Sequence, residues 1–257
     1  MKENQFTAIR AQIFHFNSKD DYEYFVDGLL VCSNGYVHTI GNYKDLKGEW
    51  SLRVKIADHR EKILMPGFVD AHIHGVQTEV MASYGADLLQ WLEDYTFPYE
   101  SEFSNKDFAK KATRFFYRQM LRNGTTTAAI YSSVHQESLE AIMEEALRLN
   151  MRIQAGKTSM DQNAPKQICE NTTQTFETGE ALIEKYHGKG RLQYLLSPRF
   201  AVTSSSEQLS LLGELKQKYP KVAVQTHISE NFEEIEYVKK LFPERKDSGA
   251  VGFCLSC

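Results

Sequence analysis

The chain has no excess of basic residues, little cysteine and no long apolar run, and each of these absences removes a class of function. Lys and Arg number 30 against 34 Asp and Glu, a formal net charge of -4. No positive field is available to neutralise phosphates along a nucleic acid, so a nucleic-acid partner is not expected. The four cysteines, Cys32, Cys169, Cys254 and Cys257, are too few and too scattered for a disulfide framework. Cys254 and Cys257 form a CxxC, but no second pair completes a tetrahedral zinc site and no βαβ pattern follows, so the spacing reads as coincidence. The opening MKENQFTAIRAQIFHF holds no apolar stretch of signal length, and nothing downstream is long enough to span a bilayer. The expectation is a cytoplasmic protein with no membrane partner.

What is present is ordinary globular material: 42% hydrophobic and 25% charged residues, close to soluble averages. A chain of 257 residues can form one α/β barrel or two smaller domains. Up to about Lys62 it reads as β structure, because Leu29 to Cys32 and Tyr36 to Ile40 flank Ser33-Asn34-Gly35, a hairpin turn signal. The pattern changes near Met65-Pro66-Gly67. This divides the chain into an N-terminal β module, 1–64, and an α/β domain, 65–257, in which short apolar strands alternate with amphipathic helices.

The alternation can be followed residue by residue. Strands are expected at Gly67 to His74, Thr125 to Tyr131, Met151 to Gly156, Arg191 to Leu196 and Lys221 to His227. Helices are expected at Asp107 to Arg122, Glu137 to Leu149, Thr175 to Tyr186, a stretch through Tyr219 capped by Ser204 with Glu207, and Asn231 to Leu241. Five βα units fall short of the eight that close a parallel barrel. A doubly wound open sheet tolerates five strands, so the count alone leaves the topology open.

Two strand ends carry the chemistry. In Pro66-Gly67-Phe68-Val69-Asp70-Ala71-His72-Ile73-His74 the histidines are two apart on a strand, so both imidazoles point to one face and can chelate zinc or iron. The plain alternative is a pair of exposed histidines on an edge strand. In Val222 to Glu230 an alternating strand ends at His227, a third candidate imidazole, and Glu230 follows on the loop, within reach of a metal-activated water. Here the plain alternative is a polar strand end followed by an acidic helix N-terminus.

Together PGFVDAHIH, the following Gln77, WLEDYTFP, NGTTTA, SPRF and QTHISEN resemble the guanine deaminases of the amidohydrolase superfamily, in register from about Leu64 to Phe242. The HxH after Pro-Gly belongs to the whole superfamily. The stretches around Trp91 to Pro98, Ser197 to Phe200 and His227 to Glu230 are similar to guanine deaminases in particular. The resemblance implies a partial (β/α)₈ TIM-like barrel, about five of eight units, with the N-terminal β module as part of a composite sandwich. It implies one Zn²⁺ held by His72, His74, His227 and an aspartate late in the chain, with Glu230 as general acid/base. Gln77, Arg199 and Phe200, with His227 and Glu230, would bind the purine, and the reaction would be hydrolysis of guanine to xanthine and ammonia. A homodimer is implied for the complete family member.

The sequence departs from the family at its end. No histidine follows His227, and Asp247 is the only later aspartate, whereas the family carries a water-orienting histidine on the sixth strand and a metal-binding aspartate after the eighth. From about Glu244, ERKDSGAVGFCLSC no longer resembles it. The expectation is that the chain as given is inactive and poorly folded alone. Alternative readings are another amidohydrolase acting on an amino-heterocycle, or a catalytically dead truncated isoform with an interaction role.

Overall fold

The structure, a computed structural model, describes residues 6–85 and 88–243. The chain divides into two compact units, Met1–Gly67 and Phe68–Cys257.

In the first unit four strands, β1 (Phe6–Ser18), β2 (Asp21–Ser33), β3 (Tyr36–Asn42) and β4 (Ile56–Leu64), form a sheet in the order β3-β2-β1-β4. The hairpin between β2 and β3 turns at Asn34 (φ 54) and Gly35 (φ 82). Both residues sit in the left-handed region that the two-residue hairpin turn requires. The unit is not all β, however: helix α1 (Tyr43–Trp50) separates β3 from the parallel strand β4. Trp50 at its end is 2% exposed against Ala8, Leu29 and Val31. That packing offsets the weak helix propensity of a segment with Gly48 inside it.

The second unit is the α/β domain. Its parallel strands are β5 (Phe68–His74), β6 (Thr125–Tyr131), β7 (Arg152–Gly156), β9 (Leu192–Pro198) and β10 (Ala223–Val224), with the two-residue β8 (Thr158–Ser159) beside β9. The order β10-β9-β7-β6-β5 follows the chain without reversal. A doubly wound sheet reverses at a switch point, so the topology is that of consecutive barrel units. Curvature agrees. β5 and β10 lie four strand spacings apart, about 19 Å in a flat sheet, yet Nε2 of His74 on β5 and Nε2 of His227 just beyond β10 are 3.0 Å apart. Gln225 likewise reaches across to the Ile130 carbonyl on β6, at 3.2 Å.

Helices α4 (Lys106–Arg122), α5 (Gln136–Leu149), α6 (Thr172–Tyr186), α7 (Ser206–Lys218) and α8 (Phe232–Leu241) follow the strands. A core of Tyr117, Ile130, Leu139, Ile153, Leu182 and Leu215, all nearly inaccessible, joins α4 to α7 to the sheet. Local capping fixes the helix ends. Asn105 accepts from the Asp107 and Phe108 amides to open α4, and Gly124 (φ 84) follows its end, as the Asn-Gly stop predicts.

Three expectations need correction. The fifth strand is not Lys221 to His227 but a two-residue ladder on β9, continued by the single bonds Gln225 N to Leu196 O and His227 N to Arg199 O. Ser205 rather than Ser204 caps α7, accepting from the Gln208 amide while its hydroxyl is held by Asp161. Between β5 and α4, where no element is expected, the chain forms helical segments: α2 (Leu88–Trp91), a π-helical turn (Leu92–Thr96), α3 (Phe97–Ser101) and a 3₁₀ turn. Cys254, Cys257 and Asp247 lie outside the described residues. No helix among the described residues is long and apolar enough to cross a membrane.

Gly156 lies at a close backbone approach in the α/β domain. A Cβ there would overlap the Leu195 carbonyl and the Ser197 hydroxyl of β9, and backbone cannot move aside as a flexible side chain can. Gly156→Ala in the full-length protein should therefore lower stability by about 3 kcal/mol, the upper end of ordinary overpacking. Gly48→Ala, which meets open space on α1, should be neutral or stabilising. Denaturant midpoints at unchanged slope test the pair.

Candidate active site

The site lies at the C-terminal ends of the parallel strands, where the lumen opens. β5 delivers His72 and His74; the residues after β9 deliver Arg199 and Phe200; those after β10 deliver His227 and Glu230. A cavity of about 220 Å³ is lined by these six residues with Gln77, Leu88, Trp91 and Leu92. That volume suits a ligand smaller than drug-sized molecules.

Three imidazoles meet there. Ligand atoms of His72, His74 and His227 all lie within 4.8 Å of one another. The His74 and His227 rings stack at 5.0 Å, and His72 meets His227 edge-on at 4.8 Å. The Arg199 carbonyl fixes the His227 tautomer: Nδ1 is 2.7 Å from that oxygen, which can only accept. Nδ1 therefore carries the proton, and Nε2 presents its lone pair toward His74. Burial pushes the His74 imidazole well below its ordinary value, and burial also takes His227 down to about 4 despite its bond to Arg199. Neutral imidazoles with converging nitrogens are the donor set a divalent transition metal takes. The fit to zinc is good.

Tyr131, at the end of β6, floors the cluster, stacking on His74 at 4.9 Å and lying 4.4 Å from His227. Its hydroxyl is buried with no hydrogen-bond partner among the described residues, and burial pushes its pKa up.

A second polar group stands beside the imidazoles. Glu100 on α3 is fully buried; its Oε1 accepts from Gln77 Nε2 at 2.9 Å and its Oε2 from Arg199 Nη1 at 2.7 Å. The Arg199 guanidinium also lies over the Phe97 ring, 5.3 Å from its centroid.

Glu230 sits on the turn into α8. Ser229 adopts φ 56, and the Ser229 and Glu230 amides donate to the Glu234 carboxylate at 3.0 and 2.7 Å. Glu234 thus holds the loop backbone, while the Glu230 side chain is left to the cavity.

Residues 63–251 match the Amidohydrolase family. This chain belongs to that family. The guanine deaminase of Escherichia coli (strain K12) is 42% identical over 218 residues, 85% of this amidohydrolase and 50% of the relative. The solved E. coli guanine deaminase superposes with a TM-score of 0.92 at 35% identity, covering 99% of this chain and 60% of that one. A guanine deaminase from C. acetobutylicum with bound guanine in its active site superposes at 0.88 and 29% identity, covering 98% and 59%. The chain spans about half the length of the curated relatives it matches. The fold is that of the amidohydrolase barrel, with the small N-terminal sheet preceding it.

All seven residues singled out in the sequence of this amidohydrolase line the one cavity: His72, His74, Gln77, Arg199, Phe200, His227 and Glu230. Neither Gln77 nor Arg199 is a solvated surface group, at 9% and 3% exposure. Sequence reasoning missed Tyr131 and Glu100, and gave Trp91, which it placed in a family-like stretch, no role at the site. For Glu100 a signal existed. The buried positions Thr96, Phe97, Glu100 and Phe103 recur at helical three- and four-residue spacing, so a carboxylate falls on the apolar stripe, where it must be paired.

Proposed function

We propose that the protein is a guanine deaminase, a zinc-dependent hydrolase converting guanine and water to xanthine and ammonia. The observation that carries this reading is the meeting, in one small cavity, of three converging imidazoles with a planar guanidinium, an amide and the Phe200 ring. The named relatives, one of them holding guanine, support it.

His72, His74 and His227 would hold one zinc ion. When bound, zinc supplies Lewis acidity that brings the pKa of a water toward ~7. Arg199 and Gln77 bind the polar edge of the purine, the guanidinium offering paired donors to a carbonyl and a ring nitrogen, and Phe200 contributes apolar surface to a ring face. Their part is to place C2 where water can attack. Glu230 takes a proton from the attacking water and passes it to a ring nitrogen, which makes C2 electrophilic. As the C2–N bond breaks, Glu230 helps deliver the proton that lets the amine leave as ammonia. The protein is further proposed to be cytoplasmic and homodimeric.

The test is a substrate panel. The full-length protein, incubated with guanine, adenine and cytosine, should release ammonia and xanthine from guanine with the highest kcat/KM. Preference for adenine or for the pyrimidine would overturn the reading.

A further inference from the structure

We infer that Glu100 is a positioning residue that dictates which polar groups the pocket offers to its ligand; the inference rests on the guanine reading and specifies how the base edge is read. Three observations carry it. Glu100 is fully buried. Its two oxygens are divided between two residues of the cavity wall, Gln77 at 2.9 Å and Arg199 at 2.7 Å. And among the described residues it is the one carboxylate within ion-pair distance of Arg199.

An ionised carboxylate only accepts hydrogen bonds. Gln77 must therefore give it the amide nitrogen, which leaves the carbonyl oxygen as the end free to accept from a ligand. Arg199 gives it one of five N–H donors and keeps the rest of its planar fork. Without Glu100 the Gln77 amide could turn over and offer a donor instead. With it, the pair presents an acceptor beside donors, complementary to a ring edge that carries an N–H next to a carbonyl or an unprotonated nitrogen. The same carboxylate cancels the Arg199 charge inside the protein, so the pocket is built for a neutral heterocycle rather than an anion. Phe97, one helical turn before Glu100, holds the guanidinium from its face. One short helix thus orients two ligand-reading groups that stand far apart in sequence.

The experiment is a KM-against-kcat comparison in the full-length protein, with bound metal measured on every sample. Glu100→Gln should leave the metal content unchanged and kcat little changed while raising KM for guanine roughly tenfold or more, the loss expected when charged hydrogen bonds no longer orient the binding groups. Glu100→Asp, which keeps the charge but draws it back by one methylene, should fall between parent and Glu100→Gln. In a Gln77→Ala background Glu100→Gln should add less than it does alone, because part of its effect acts through Gln77. If Glu100→Gln does not fold, Glu100→Asp with and without Gln77→Ala carries the same comparison. A folded, metal-loaded Glu100 variant with unchanged KM, or strictly additive effects with Gln77→Ala, would overturn the assignment alone. A parent that does not turn over guanine would remove the substrate reading and the assignment with it.

Discussion

Glu230→Gln in the full-length protein is expected to keep its metal and lose about 10²- to 10⁴-fold in kcat, the range a positioned general acid/base contributes. The side chain lines the cavity, but it stands outside the cluster of ligand atoms formed by the three histidines, so replacing its carboxylate by an amide leaves those ligands intact. Nor should the loop collapse, because its backbone is held by Glu234, whose carboxylate accepts the Ser229 and Glu230 amides. An amide has the same shape but cannot take a proton from water and return it. KM should therefore change far less than kcat. Metal analysis beside steady-state rates checks this: a variant with near-normal kcat and depleted metal would reverse the assigned roles.

Much of this was legible in the sequence, and the parts that were not share a physical cause. Strand Thr125–Tyr131 is found with the ends its apolar pattern predicts, because a threonine-rich apolar run between Gly124 and a buried loop has only one extended reading. His72 and His74 fall together because side chains two apart on a strand share a face, whatever the tertiary structure. The errors arise where a distant partner decides. Ser204 and Ser205 both offer a helix cap, and Asp161, far back in the chain, takes the Ser205 hydroxyl at 2.5 Å and amide at 2.7 Å and so selects it. The alternation of Val222 to Thr226 reads as a full strand, but only Ala223 and Val224 find a ladder on β9. Glu100 lies among Glu93, Asp94 and Glu102 in a run of acids; its place on the buried stripe with Phe97 and Phe103 sets it apart, but its role comes from the pairing with Gln77 and Arg199, from two other elements of the domain. Local pattern thus gives the elements and the metal-ligand candidates, whereas burial partners across the barrel give the groups that orient the ligand.

The second large effect concerns the metal. His227 sets the geometry of the imidazole cluster: its Nδ1 is anchored on the Arg199 carbonyl, and its Nε2 faces His74 across 3.0 Å. It also comes from the far end of the sheet from β5, so it joins the two halves of the site. His227→Ala should reduce bound zinc and guanine turnover together, by two orders of magnitude or more for turnover, taking about 10²-fold as the lower bound set by perturbing a metal's surroundings alone. The direct measurement is a titration. The full-length protein, stripped by a chelator and supplied with increasing zinc, should regain xanthine formation in proportion to bound metal, up to one ion per chain, while His227→Ala regains none at the same concentrations. Full turnover of guanine by the stripped protein, or equal recovery in His227→Ala, would contradict a three-histidine metal centre as the seat of the chemistry.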